Sequence, residues 1–384
     1  MGCCNKHKSG QIELLSNSKN DKENILIPIQ TTKTNNIKKS IKIKSVKGQQ
    51  PKKMKFSDFE ALNLLGKGTF GQVLLVKFKN STDKNLYAMK ILDKHNIKEK
   101  NQQEHTKNER DLMVKISSPF IASIKFAFQD NKNLYLVSEF MQGGELFFHL
   151  KNTKRFTEEL TRFYAMEIVL GLAAIHEINA VYRDLKPENI LLDSKGHIRL
   201  TDFGLSKIVK GNDGKAYTLC GTMRYLAPEV LMHQGYKKEV DWWSLGSVVY
   251  LMLEGRPPFG NPKSENLNMN TYHRELIFFY TKSEEAKNFI KELLVVEPNK
   301  RLGSGENGTE NIQKHQFFKG IDWKKAYRKE YTPPFVPKLE DELDLQYFDS
   351  SFTEEPIDIN SIQDDGNNSR INEEYYNNFS FNDS

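Results

Sequence analysis

The chain has 384 residues, 38% of them hydrophobic, and a net charge of +6, enough for two sizeable lobes but too polar to be packed throughout. Residues 1–55 hold 13 Lys against 3 acidic groups and residues 339–384 hold 13 Asp and Glu against one Arg, so both ends read as solvated flanks around a globular middle. Three cysteines, Cys3, Cys4 and Cys220, are too few for a disulfide framework and point to a reducing compartment, and no apolar run is long enough to span a bilayer.

In chain order, the arm 1–55 comes first. It opens "MGCC": Gly2, once the Met is removed, is an acceptor for myristate, and Cys3 and Cys4 are palmitate candidates, although Lys6 stands where the acylation pattern wants Ser or Thr. One acyl chain holds a membrane only marginally. The run from Lys38 to Lys55 supplies a second attraction, about 1 kcal/mol per Lys against an anionic surface. The expectation is the cytoplasmic face of a membrane, with an unmodified terminus as the alternative. No nucleic-acid partner is expected, because no aromatic stacking residue precedes Phe56.

From Phe59, "FEALNLLGKGTFGQVLLVKFKNSTDKNLYAMKIL" alternates apolar residues around a Gly-rich turn and predicts antiparallel strands. Gly66, Gly68 and Gly71 lead into a strand and not into the helix a dinucleotide fold needs, so they read as a flap over phosphates with Lys90 beneath. The stretch "IKEKNQQEHTKNERDLMVKI" predicts a polar helix from which Glu109 could reach Lys90. Strands around "LYLVSEFM" follow, and then "GGELFFHL" and "TEELTRFYAMEIVLGLAAIHE" predict the helices of a larger lobe.

Beyond them come "YRDLKPENILL", "LTDFGLSK" and "CGTMRYLAPE". Their order and spacing after the Gly-rich pair and Lys90 resemble a eukaryotic protein kinase. The resemblance implies a bilobal α+β fold, with a small antiparallel sheet lobe at 56–141 and a large, mainly helical lobe at 142–320. "EHTKNE", "GGELF", "TLCGT", "DWWSLG" and "KRLG", with "PPFVPKL" and "YFDSSFT" in the tail, resemble the AGC group of kinases, among them protein kinase B, the serum- and glucocorticoid-regulated kinases and protein kinase A. Residues 321–384 would then be a C-terminal extension wrapping the small lobe.

The resemblance also assigns roles for ATP and Mg2+. The backbone of Gly66, Lys67, Gly68, Thr69, Phe70 and Gly71 would cover the phosphates, and Lys90, paired with Glu109, would hold them. Asp202 and Asn189 would ligate the metal. Asp184 would accept or orient the substrate hydroxyl proton, with Lys186 beside it. Adenine would lie among Val73, Ala88 and Leu191 and meet the backbone from Glu139 to Met141; Thr201, Glu145 and Phe348 complete the nucleotide cleft. Glu229 and Arg301 would form a buried structural pair, and Asp241 would anchor the catalytic loop.

Departures from the pattern refine the expectation. Met223 and Arg224 replace the usual Pro and Glu, and Leu251 replaces an acid that reads arginine two residues upstream, whereas Glu145 and Glu188 stand where the family reads arginine three residues upstream. Protein substrates with Arg or Lys at minus three are therefore expected. Ser138, just before the hinge, is small for its place and should leave the pocket behind adenine open. The segment from Gly260 to Leu276 fits the family poorly.

Switching is expected at two places. Thr218 stands at the activation-loop phosphosite, where its phosphate could meet Arg183, Lys207 and His105 after an upstream, phosphoinositide-dependent-kinase-like enzyme acts. Tyr376, Phe379, Ser380 and Phe381 match the group's hydrophobic motif and should dock on the small lobe near Lys94, Ile97 and Leu134. For the turn phosphosite, Thr353 and Ser361 are candidates. The alternative to an enzyme is a membrane-tethered pseudokinase or scaffold, against which stand Lys90, Glu109, Asp184, Asn189 and Asp202.

Overall fold

The computed structural model describes residues 54–68, 71–79, 85–209, 214–259, 269–362, 376 and 378–382. Gly2, Cys3, Cys4, Thr69 and Phe70 lie outside these residues, as does the arm up to residue 53. No helix among the described residues is long and apolar enough to cross a membrane.

The small lobe is an antiparallel sheet of β1 (Phe59–Gly68), β2 (Gly71–Phe78), β3 (Leu86–Asp93), β4 (Ile124–Gln129), β5 (Asn133–Glu139) and, from the far end of the chain, β11 (Phe381–Asn382), in the order β1-β2-β3-β5-β4-β11. Alternating residues of β2, β3 and β5 send Leu74, Val76, Met89, Ile91, Tyr135 and Val137 into a cluster with Phe59 and Phe128. β1 and β2 meet at Gly68 and Gly71. A Cβ on Gly71 would come within 1.8 Å of the Ile91 carbonyl oxygen, so only glycine lets the turn lie this close to β3.

The polar helix expected over 97–116 is two helices, α1 (Lys94–Glu99) and α2 (Gln103–Lys115). Asp93 caps the first through the Asn96 amide, and the chain breaks at Asn101, whose φ is +52°. Thr106, Glu109, Leu112 and Met113 form the buried stripe of α2, which packs on β4.

The large lobe begins with β6 (Gly144–Glu145), α3 (Leu146–Thr153) and α4 (Glu158–Glu177), the last capped by Thr157 through the Leu160 amide. Two short ladders follow: β7 (Ala180–Val181) with β10 (Lys207–Ile208), and β6 with β8 (Ile190–Leu192) and β9 (Ile198–Leu200). After α5 (Pro228–Leu231), α6 (Glu239–Glu254) is buried from Val240 to Glu254, as expected of a helix apolar nearly all round, and ends at Gly255 with φ +70°. Arg301 closes this lobe, donating from Nη1 and Nη2 to the two Glu229 oxygens at 2.7 and 2.9 Å in full burial.

From residue 321 the chain returns toward the small lobe. Gln142 Nε2 donates to the Asp341 carbonyl, Phe348 stacks on Phe140 at 5.5 Å, and Asn133 Nδ2 donates to the Ile362 carbonyl at 2.7 Å. Gly144 has φ +69°, and a Cβ there would meet the Tyr347 carbonyl oxygen at 2.5 Å, so the tail lies directly on the hinge backbone.

Candidate active site

A cavity of about 360 Å³ opens between the Gly-rich strand pair, α2 and the loops of the large lobe, lined by Gly68, Gly71, Val73, Lys90, His105, Glu109, Asp184 and Asp202 among others. Lys90 projects from β3 opposite Val73 of β2, and its Nζ lies 2.7 Å from Glu109 Oε1 and 3.8 Å from Asp202 Oδ1. Burial alone would lower the Lys90 ammonium, but the Glu109 and Asp202 carboxylates more than offset it and hold it above its ordinary value. The charge of Lys90 in turn holds Asp202 below the ordinary carboxylate range. Lys90 therefore stays cationic and Asp202 anionic at neutral pH.

The loop between β7 and β8 is built on Asp241 of α6. Its buried carboxylate accepts the backbone amides of Tyr182 and Arg183 at 2.9 and 2.8 Å and is itself held by His176 Nε2 at 2.7 Å. Arg183 has φ +69° within this clamp. Asp184 then points into the cavity, its Oδ2 accepting from Lys186 Nζ at 2.7 Å and Asn189 Nδ2 at 2.9 Å, and its Oδ1 from the Thr222 amide and hydroxyl at 3.1 and 3.0 Å. Sequence reasoning missed Thr222, which also accepts from Lys186 at 3.1 Å. The Thr of "CGT" was the available signal.

Around the nucleotide position, Ala88 lies opposite Leu75 and Ser138, and Leu191 of β8 pairs with Glu145 of β6. The Thr201 amide donates to the Asn189 carbonyl at 3.0 Å. The Glu139 carboxylate is taken by Arg199 at 2.9 Å and Lys125 at 3.5 Å, so any bond from Glu139 to an adenine ring must come from its backbone. Lys67 pairs with Glu355 of the tail, and Phe348 sits over the hinge through Phe140.

Glu145 pairs with Leu191 and lies near Glu188 and Lys186. Burial of its carboxylate, with the charge of Glu188 beside it, pushes it up to about 7, against a lowering by Lys186. Glu188 Oε2 is buried and has no hydrogen-bond partner.

Of the switch residues, Thr218 is exposed and its carbonyl accepts from the Tyr236 hydroxyl at 2.7 Å, while Arg183 donates to that hydroxyl at 3.2 Å and to the Leu205 carbonyl. His105 hydrogen-bonds Gln102, and Lys207 is exposed on β10. No hydrogen bond or ion pair among the described residues joins the Thr218 side chain to these three. The tail motif is docked: Tyr376 and Phe379 are 3% and 1% exposed within the buried cluster that includes Ile97, Leu112 and Leu134. Gln129 Nε2 donates to the Tyr376 carbonyl at 2.9 Å, Lys94 lies over the Tyr376 ring and Arg110 over that of Phe379. Phe381 pairs with Ala127 as β11 joins β4, and Ser380 remains exposed. Gln129 was a second omission of sequence reasoning, and no local signal marks it.

A sheet lobe over a helical lobe, with a lysine–glutamate pair facing two aspartates across the cleft, defines a phosphoryl-transfer enzyme. The protein kinase domain profile matches residues 59–318, and the protein kinase C terminal domain profile matches residues 339–381. The chain is 44% identical over 313 residues to the RAC family serine/threonine-protein kinase homolog of Dictyostelium discoideum, covering 80% of this chain and 69% of that protein. It is 44% identical over 302 residues to serine/threonine-protein kinase Sgk1 of Xenopus tropicalis, covering 78% and 72%, and 44% identical over 313 residues to serine/threonine-protein kinase YPK2/YKR2 of Saccharomyces cerevisiae, covering 81% and 46%. The chain thus spans under half of the yeast protein's length. It belongs to the protein kinase family, in the AGC group of serine/threonine kinases.

Proposed function

We propose that this kinase transfers the γ-phosphoryl group of ATP to Ser or Thr of proteins carrying Arg or Lys three residues upstream. The observation that carries the specificity is the Glu145 and Glu188 pair beside Lys186, two carboxylates of which one has a buried oxygen without a hydrogen-bond partner among the described residues. A guanidinium from the substrate would satisfy that oxygen and relieve the repulsion between the two acids.

The residues also suit ATP with Mg2+. Asp202 offers an ionised carboxylate, and Asn189, whose Nδ2 is spent on Asp184, keeps its carbonyl oxygen, so the donors are the hard oxygens such a cation takes. No cluster of three or more His, Cys, Asp or Glu able to cage a metal occurs among the described residues, which suits a cation shared with phosphate oxygens. When bound, it would neutralise charge on those oxygens. Lys90 would fix the α- and β-phosphates, and Asp184, held by Asn189 and Thr222, would orient the incoming hydroxyl and accept its proton. Lys186, bonded to Asp184 and Thr222, would reach both nucleophile and transferred phosphate. With all five of Lys90, Glu109, Asp184, Asn189 and Asp202 in place, a scaffold without transfer has no residue in its favour.

Activation would come from phosphate on Thr218, drawing Arg183 from the Tyr236 hydroxyl and recruiting Lys207 and His105, and from the docked tail holding α2 against β4. Acylation at Gly2, Cys3 and Cys4 with the basic arm would place the enzyme at the cytoplasmic face of a membrane, and the intact mass of the N-terminal peptide tests it. A positional-scanning peptide library tests the specificity: selection of Arg or Lys at minus three is expected, and it should vanish in Glu145→Gln/Glu188→Gln. Selection of acids or of proline after the target contradicts the reading.

A further inference from the structure

The run "LIFFYT" (Leu276 to Thr281) would be read from hydrophobicity as core, yet it places Leu276 and Phe278 inward and Ile277, Phe279 and Tyr280 outward at 57, 58 and 52% exposure. Large apolar groups this exposed and this close together are unusual on a protein surface and mark interaction sites. This surface is rigidly presented. Glu254, buried at the end of α6, accepts the amides of Phe279, Tyr280 and Thr281 and the Thr281 hydroxyl, and the Ile277 carbonyl accepts from the Tyr250 hydroxyl and from Arg256. These backbone groups are used inward, so recognition falls to the side chains.

Two exposed arginines complete the surface. The Arg155 guanidinium lies 3.9 Å from the centre of the Tyr280 ring and that of Arg256 lies 4.4 Å from the Phe279 ring. Neither has a carboxylate partner among the described residues, although Arg256 uses Nη2 on the Ile277 carbonyl and the Tyr250 hydroxyl. A guanidinium held over a ring face has five N–H donors, more than Arg256 uses here, so N–H groups remain for carboxylates while the rings take apolar groups.

We propose that this surface docks an acidic, aliphatic segment of a partner protein: carboxylates on Arg155 and Arg256, aliphatic side chains on Ile277, Phe279 and Tyr280. Charge complementarity selects an acidic partner. A peptide surface suits it better than a lipid headgroup layer, because the two guanidinium groups are drawn in over the rings, 3.9 and 4.4 Å from their centres, and do not project as a cluster of lysines would. The fixed backbone lowers the ordering cost of binding.

The test uses the full chain and fluorescence anisotropy with a short labelled peptide of alternating Asp, Glu and Leu, its Lys-for-acid counterpart, and phosphatidylserine vesicles. The expected result is binding of the acidic peptide alone among the two, weakened roughly tenfold or more by Arg155→Glu/Arg256→Glu and by Phe279→Ser/Tyr280→Ser. Both variants should keep wild-type melting and wild-type phosphorylation of a short basic peptide. The inference is overturned if the acidic peptide does not bind, if both variants bind it as wild type does, or if the substitutions reduce vesicle binding and leave peptide binding unchanged.

Discussion

On the proposed reading of an arginine three residues upstream, the charge of Glu145 should matter. Its ordinary range is near 4.3, and burial with the charge of Glu188 pushes it up to about 7. Below that value it is largely protonated and offers no charge to an arginine; above it the full attraction is present. The ratio of kcat/KM for a peptide with Arg at minus three to that for its Ala counterpart should therefore rise as pH goes from about 6 to about 8, and the rise should flatten in Glu145→Gln. A pH series on the two peptides with both enzymes reads this directly. Ser138 is the residue expected to set how much room lies behind the adenine. It lies between Ala88 and Ile124 on the central strand, only half-buried although Leu134 to Val137 before it are almost wholly enclosed. ATP analogues with a bulky group on the adenine amine should bind the wild type, and Ser138→Phe should abolish their competition while leaving ATP turnover measurable.

At the scale of elements, positions repeated with a clear period were legible and positions set by distant partners were not. The alternation in β2 and β3 and the long apolar α4 could be read from sequence, as could Lys90 and Glu109. The break between α1 and α2 could not, because it depends on Asn101 adopting φ +52°, a local choice with no Gly or Pro to announce it. Thr222 and Gln129 were missed for another reason: each acts through a partner 38 or 247 residues away, and although the motif "CGT" marks Thr222, nothing local says that it reaches Asp184, while nothing at all marks Gln129. The outward face of "LIFFYT" escaped notice because hydrophobicity predicts burial and cannot say that Glu254 turns the backbone inward. Buried ion pairs tie such elements together. Removing one partner leaves an uncompensated charge, so Arg301→Ala, stranding Glu229 beneath α6, should destabilise the large lobe by about 3–5 kcal/mol. Denaturant unfolding measures the loss, and a change within error of zero would show that the pair is not holding α5 to α6.

At the scale of the whole molecule, the chain folds back so that its last residues complete the sheet with which its kinase domain began. Tyr376 and Phe379 are buried beside α1 and α2, and β11 extends the sheet at β4, while the pair between Lys90 of β3 and Glu109 of α2 is closed. Burying each ring stabilises the docked state by about 1.5–3 kcal/mol, and about 5.5 kcal/mol moves an equilibrium from 1:99 to 99:1, so the two rings together come within reach of setting where α2 sits. Glu355 on Lys67 and the Ile362 carbonyl on Asn133 hold the intervening tail on either side of Ser361 and close to Thr353, the candidate turn phosphosites. The measurement that tests this most directly compares full-length enzyme, phosphorylated on Thr218, with the same enzyme ending at Gly366, both assayed on one Arg-at-minus-three peptide. Truncation should lower kcat/KM roughly tenfold or more, with partial recovery on adding the excised peptide; equal activity of the two enzymes would mean that the docked rings do not set where α2 sits.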